Sequence, residues 1–222
     1  MVKKPAGEIG SVKVTIVDGK PVGGWKKIEY PTNKAEQERQ IMTQFLGGMH
    51  RKGRVITFVQ GDENDFDFKM TEGDTTTDVD LVEVVATDGK GSPYVSREIA
   101  SKPYAFAELM MNAIRKKARH YGKPTKPLNL LLHATHRRFT PSMTSIALCQ
   151  HWLQREETCF ANIWFFTPLD AIEGEANVLF PIPPKYDTLG GKKPDDFRDS
   201  ICLSLDPAKA QIVRHPVNDP QP

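Results

Sequence analysis

Residues 78–86 read DVDLVEVVA. Their alternating aliphatic residues predict a β-strand in which Glu83 shares a face with Val79 and Leu81. Glu83 is therefore expected among side chains that a sheet normally buries. A buried carboxylate costs free energy unless it has a partner. The sequence thus indicates either an ion pair or a functional site at this strand.

The size and charge of the chain indicate one α/β domain. Its 222 residues are enough for a sizeable core, and its 30 basic and 28 acidic residues nearly cancel. Such a balance creates no global field, so a nucleic-acid partner would need local basic clusters. No apolar window is long enough to span a membrane, and no apolar segment follows the basic start. We therefore expect a cytoplasmic protein that does not bind membranes.

Turn and capping signals on either side of this strand define the remaining elements. Asp18-Gly19 predicts an N-terminal β-hairpin, and Asn33 is a suitable cap for a helix that begins at Lys34 and weakens at Gly47-Gly48. TEGDTTT is expected to be a polar loop. The other predicted elements are strands RVITFVQ, DFDFKM, NLLLHAT and FANIWFF, and helices from Pro103 to Tyr121 and from Thr140-Pro141 through Glu157.

This order of elements predicts a mixed central β-sheet flanked by helices. The two late strands are apolar throughout, as is typical of strands covered on both faces. We expect a single α/β domain over residues 1–180, including the hairpin. Residues 181–222 are rich in proline, glycine and charge, and they are expected to form an irregular extension with a disordered tail.

Three further charged residues fall at positions that should face the core or the sheet. Glu38 projects into the apolar face of the first helix, and Lys117 lies within the inward stripe of the long helix. Asp67 lies in DFDFKM, and a chain reversal after it would bring it beside Glu83. Clustered carboxylates repel one another, and a divalent cation relieves that repulsion. The pattern indicates metal-assisted hydrolysis, in which the lysine positions the attacking water.

The order of these motifs resembles the PD-(D/E)XK, or restriction-endonuclease-like, nuclease superfamily. The resemblance spans roughly residues 33–168: a helix with an inward Glu, DFDFKM, a polar loop, DVDLVEVV, a helix with AIRKKARHY, and NLLLHAT. It implies a restriction-endonuclease-like fold and a Mg²⁺- or Mn²⁺-dependent nuclease that hydrolyses phosphodiester bonds. The implied metal ligands are Asp67 and Glu83. The implied catalytic residues are Glu38, Asp67, Glu83 and Lys117.

The sequence departs from the family at one decisive position. Val85 stands where the motif lysine is expected, two residues after Glu83, and Lys117 is the candidate substitute. Without a lysine at the site, the same fold would be a catalytically inactive nucleic-acid-binding or protein-interaction module. A third alternative is an unrelated α/β interaction protein, in which Glu83 and Lys117 form an ion pair. Asp80 also competes with Asp67 as a metal ligand.

Basic clusters are the expected contacts to a nucleic acid, and DNA is favoured over RNA. Each cluster taken alone is also typical of an ordinary solvated surface. A homodimer would supply the two sites needed to cut both strands of a duplex. His133 and His136 lack the helical spacing of a metal site. The proposed nucleic-acid contacts are Arg51, Lys52, Arg54, Lys116, Arg137 and Arg138.

Overall fold

The computed structural model describes residues 9–61, 66–85 and 102–202, without the side chains of residues 12, 13, 21 and 138. Within these ranges the chain forms eight strands and three α-helices. In chain order they are β1 (Gly10–Val17), β2 (Lys20–Lys27), α1 (Lys34–Arg51), β3 (Ile56–Gln60), β4 (Phe68–Glu72), β5 (Thr75–Glu83), α2 (Pro103–Tyr121), β6 (Leu128–His133), α3 (Met143–Leu153), β7 (Asn162–Pro168) and β8 (Gly174–Phe180).

Six of the strands form one mixed sheet in the order β3-β4-β5-β6-β7-β8. Strands β3, β4 and β5 are an antiparallel meander, β5, β6 and β7 are parallel, and β8 returns antiparallel to β7. Strands β1 and β2 pair only with each other. The predicted α/β class and the mixed sheet flanked by helices are confirmed.

The two faces of the sheet carry separate hydrophobic cores. Helices α2 and α3 cover the face that presents Leu130 and Phe165, and α1 covers the face that presents Leu131 and Trp164. All six residues of β6 are buried, since helices lie on both sides of it. Because side chains alternate along a strand, each polar residue of β5 and β6 faces either α1 or the layer formed by α2 and α3.

Local signals placed several elements correctly. Asp18 and Gly19 form the hairpin turn with φ angles of 50° and 71°. The Asn33 side chain accepts a hydrogen bond from the Glu36 backbone N–H at 3.2 Å and caps α1. The expected weakening at Gly47-Gly48 was wrong, because α1 continues to Arg51. A Cβ at Gly48 would lie 2.1 Å from the Gly174 carbonyl oxygen, so this glycine permits close packing of α1 against the sheet edge.

Other boundaries differ from the sequence predictions. Helix α3 is shorter than expected, because the Ser142 side chain caps it by accepting from the Ser145 backbone N–H at 3.1 Å. Strand β8 was not predicted. TEGDTTT is not a loop, since β4 and β5 meet in a tight turn at Gly73-Asp74. After β8, the described part of the extension contains one short helix, Pro194–Phe197. The tail expected to be disordered lies outside the described residues.

Candidate carboxylate and lysine site

Two aspartates meet where β4 and β5 run side by side. Phe68 pairs with Val79, so one further step of the antiparallel register puts Asp67 opposite Asp80. The Asp67 Oδ2 atom accepts a hydrogen bond from the Leu81 backbone N–H at 2.7 Å, and its carboxyl group lies close to that of Asp80. The tight turn between the strands sets this register. Asp67 therefore neighbours Asp80, whereas the sequence had suggested Glu83.

Lys117 from α2 completes this contact. Its Nζ atom lies 2.6 Å from Asp80 Oδ2, and the Asp80 side chain is only 3% exposed. The ammonium group is also 5.9 Å from the centre of the Tyr121 ring. Lys117 thus faces the sheet, as the helical pattern predicted. Its ion-pair partner is Asp80, while the sequence alternative had named Glu83.

Glu38 approaches the same carboxylates from α1. Its side chain is 15% exposed and pairs with Lys34 Nζ at 3.1 Å. The negative charge of Glu38 helps to raise the pKa of Asp67, and both Asp67 and Asp80 help to raise the pKa of Lys34. Glu38 is therefore close enough to act electrostatically on Asp67. Lys34 was not predicted; its four-residue spacing from Glu38 is the sequence signal for this ion pair.

Glu83 lies on the other side of the sheet. It alternates with Val79 and Leu81 toward α1, whereas Asp80 faces α2. The Thr135 hydroxyl donates a hydrogen bond of 2.6 Å to Glu83 Oε1. The carboxylate also helps to raise the pKa of the buried Tyr30, whose main perturbation is loss of water. Glu83 is thus half-buried and hydrogen-bonded, and its role as a metal ligand stays a prediction.

The titration of Asp67 reflects its surroundings. Burial is the largest cause that raises its pKa to about 7, followed by the hydrogen bond with Asp80, and the charges of Asp80 and Glu38 act in the same direction. The hydrogen bond from the Leu81 N–H opposes this shift. A neighbouring carboxylate disfavours the ionised form of Asp67.

Oxygen donors of this kind suit Mg²⁺ or Mn²⁺. A magnesium ion often takes only one or two carboxylates and completes its coordination with water and substrate phosphate. Asp67 and Asp80 could bind a cation in this way, because a cation relieves the repulsion between neighbouring carboxylates. In the described ranges, no three or more His, Cys, Asp or Glu side chains are grouped to hold a metal ion. Asp67 and Asp80 are therefore the two carboxylates that could hold a cation here.

The predicted nucleic-acid contacts have different environments. Arg51 forms an ion pair with Glu173 at 2.9 Å, and Arg54 forms one with Glu72 at 2.5 Å. These two guanidinium groups are partly neutralised, whereas Lys52 and Lys116 are exposed. Arg137 is half-buried, and the side chain of Arg138 lies outside the described set.

No protein-family model matches the chain, and neither a curated protein nor a solved structure matches it significantly. In the described part of the chain, none of the helices combines the length and apolar character needed to cross a bilayer.

Proposed function

We propose that the protein is a divergent PD-(D/E)XK-like nuclease that hydrolyses phosphodiester bonds in nucleic acid with Mg²⁺ or Mn²⁺. The observation that carries this proposal is the contact of Asp67, Asp80 and Lys117 on adjacent elements. The order α1, β3-β4-β5, α2, β6 is also the order on which the family resemblance rests. Fold resemblance alone does not specify activity, so the proposal depends on the side chains.

Each residue of this contact has a distinct proposed role. Asp67 and Asp80 hold the metal ion, which when bound lowers the pKa of water and neutralises charge on the phosphate. Lys117 takes the part of the motif lysine and orients the attacking water by donating a hydrogen bond from Nζ. Glu38 adds negative charge near Asp67 and favours cation binding. Glu83 supports the far end of β5 through its hydrogen bond with Thr135.

Lys117 is the proposed replacement for the motif lysine that is absent at Val85. Asp80 faces α2. Two positions later, Val82 shares this face of the strand, and its side chain cannot donate a hydrogen bond. The ammonium group arrives instead from α2 and contacts Asp80 at 2.6 Å. A lysine is therefore present at the carboxylate pair although the strand carries none.

The second candidate is a nucleic-acid-binding module without turnover. The Lys117–Asp80 ion pair favours it, because a lysine that already neutralises a carboxylate competes with a cation for the same oxygen. The two candidates differ in whether a divalent metal produces cleavage. Both predict that the protein binds nucleic acid.

A cleavage assay separates these candidates. Purified protein is incubated with single-stranded and duplex DNA and RNA in Mg²⁺, Mn²⁺ or EDTA. We expect metal-dependent cleavage that falls by at least about 100-fold in Asp80→Asn and in Lys117→Met, since the first removes a proposed metal ligand and the second removes the proposed donor to the attacking water. Asp74→Asn, in the exposed β4–β5 turn, is the matched control and should cleave at the wild-type rate.

Glu83→Gln tests the competing assignment. If Glu83 were the metal ligand, this variant would lose cleavage and Asp80→Asn would retain it. Binding without cleavage in any metal would refute the nuclease and support the module.

A further inference from the structure

Several exposed cations near the C-terminal end of α2 form no ion pair within the described part of the chain. Lys116 and Arg119 lie three residues apart on one exposed side of α2, and Lys123 is exposed just beyond the end of the helix. Among the described residues, none of them is in an ion pair, and the same holds for Lys126 in the loop that follows. Arg115 on the same helix is different, because it is bound to Glu156.

A groove lies at the end of this row of cations. It has a volume of about 500 Å³ and is lined by Lys123, Lys126, Cys159 and Phe160, together with Pro124, Thr125, Pro127 and Ala161. Helix α2 ends here because Gly122 adopts a φ of 61°. The chain then crosses to β6 and leaves both lysine side chains exposed at the groove. The exposed lysines make the groove positively charged, whereas Phe160 beneath them is buried in the core.

An aromatic row joins this groove to the carboxylate site. Phe160 lies 6.4 Å from Tyr121, and Tyr121 lies 5.2 Å from Phe66, measured between ring centres. Phe66 directly precedes Asp67, and Lys117 lies above the Tyr121 ring. The Asp78 backbone N–H donates to the carbonyl oxygen of Pro127, a residue that lines the groove, at 3.3 Å. These rings pack against one another in the hydrophobic core, so the groove and the carboxylate pair lie near each other.

We propose that this groove and the adjoining cations of α2 bind the phosphate backbone of one nucleic-acid strand and lead it to Asp67 and Asp80. We call this surface, formed by Lys116, Arg119, Lys123 and Lys126, the α2 basic surface. The inference rests on the proposed function and deepens it. A row of exposed cations is the arrangement that binds a nucleic-acid strand by its phosphates. The previously predicted cluster at Arg51 and Arg54 is partly neutralised and does not have this character.

The test is a binding measurement in EDTA, so that its outcome does not depend on cleavage. Fluorescence anisotropy of a labelled single-stranded oligonucleotide is recorded against protein over a range of salt concentrations. Lys123→Ala/Lys126→Ala should weaken binding about 20-fold at ~0.1 M salt and make the log–log salt dependence less steep by about 1.4, the effect of losing two phosphate contacts. The matched control is Lys20→Ala/Lys26→Ala in the N-terminal hairpin, which removes the same charge.

The binding measurements separate support for the α2 basic surface from its refutation. Selective loss in Lys123→Ala/Lys126→Ala supports the proposal, even if the wild type never cleaves. Equal loss in both double variants, no binding by the wild type, or equal competition by polyglutamate overturns it. Circular dichroism of each variant verifies that folding is intact, and both lysines are exposed, so the substitutions are compatible with the fold.

Discussion

Asparagine at position 67 should make the protein more stable at neutral pH. The Asp67 carboxyl group has a pKa raised to about 7, because it is withdrawn from water and hydrogen-bonded beside Asp80. An unfolded aspartate titrates near pH 4. Between these two values the folded state holds a proton that the unfolded state has lost. The free energy of unfolding therefore falls as the pH rises from about 4 to about 7.

The size of this effect follows from the shift. Each pKa unit corresponds to roughly 1.4 kcal/mol, so a shift from 3.8 to about 7 gives an upper bound of about 4 kcal/mol. Asp67 is only half-buried, and solvent screening reduces this figure to about 1–2 kcal/mol. Asparagine cannot ionise, yet its side-chain oxygen can still accept from the Leu81 N–H. Asp67→Asn should therefore match the wild type near pH 4 and exceed its stability by about 1–2 kcal/mol near pH 8.

Urea unfolding followed by tryptophan fluorescence measures this difference at both pH values. Asp74→Asn, in the exposed turn, should change stability by less than about 0.5 kcal/mol at either pH. Adding Mg²⁺ near pH 8 should stabilise the wild type and not Asp67→Asn, because only the folded carboxylate pair binds the ion. A difference between Asp67→Asn and the wild type that does not change with pH, or a less stable variant near pH 8, would refute the reasoning.

Three further substitutions test other parts of the structure, each by urea unfolding. Lys117→Met should lower stability by about 2 kcal/mol at neutral pH, since it leaves a buried carboxylate without its cation, and no change would contradict the ion pair. Gly48→Ala should cost about 2–3 kcal/mol, because its Cβ would lie 2.1 Å from a backbone oxygen, whereas Gly24→Ala, with nothing within 4 Å, should be nearly neutral. Asn33→Ala should cost about 1 kcal/mol by removing the cap of α1, and Asn33→Ser should restore it.

Local patterns were sufficient to predict most of the elements. The Asp18-Gly19 turn, the Asn33 cap and the Gly122 stop each act within a few residues, so the sequence contains the whole signal. The apolar run of β6 predicted a strand covered on both faces, and helices cover both faces. Strand β8 was missed because it is an edge strand whose burial alternates irregularly, so its pattern is weak.

The arrangement of the site depended on information that is not local. Because TEGDTTT was predicted to be a loop, the register between β4 and β5 could not be predicted. A small change of register determines which acidic residue lies opposite Asp67. The helical pattern placed Lys117 on the inward side of α2. It did not specify which face of β5 that side covers. Only the packing of α2 on the Asp80 face determined the lysine's partner.

The change from antiparallel to parallel pairing at β5 has a consequence for the order of folding. Strands β3, β4 and β5 pair through short connections, whereas β5 pairs with β6 only after the crossover that contains α2 has closed. Asp67 and Asp80 can therefore meet early, while both are still hydrated. The docking of α2 then removes water from them and delivers Lys117. Since this desolvation comes late, we expect substitutions at the pair to alter the unfolding rate and to leave the folding rate nearly unchanged.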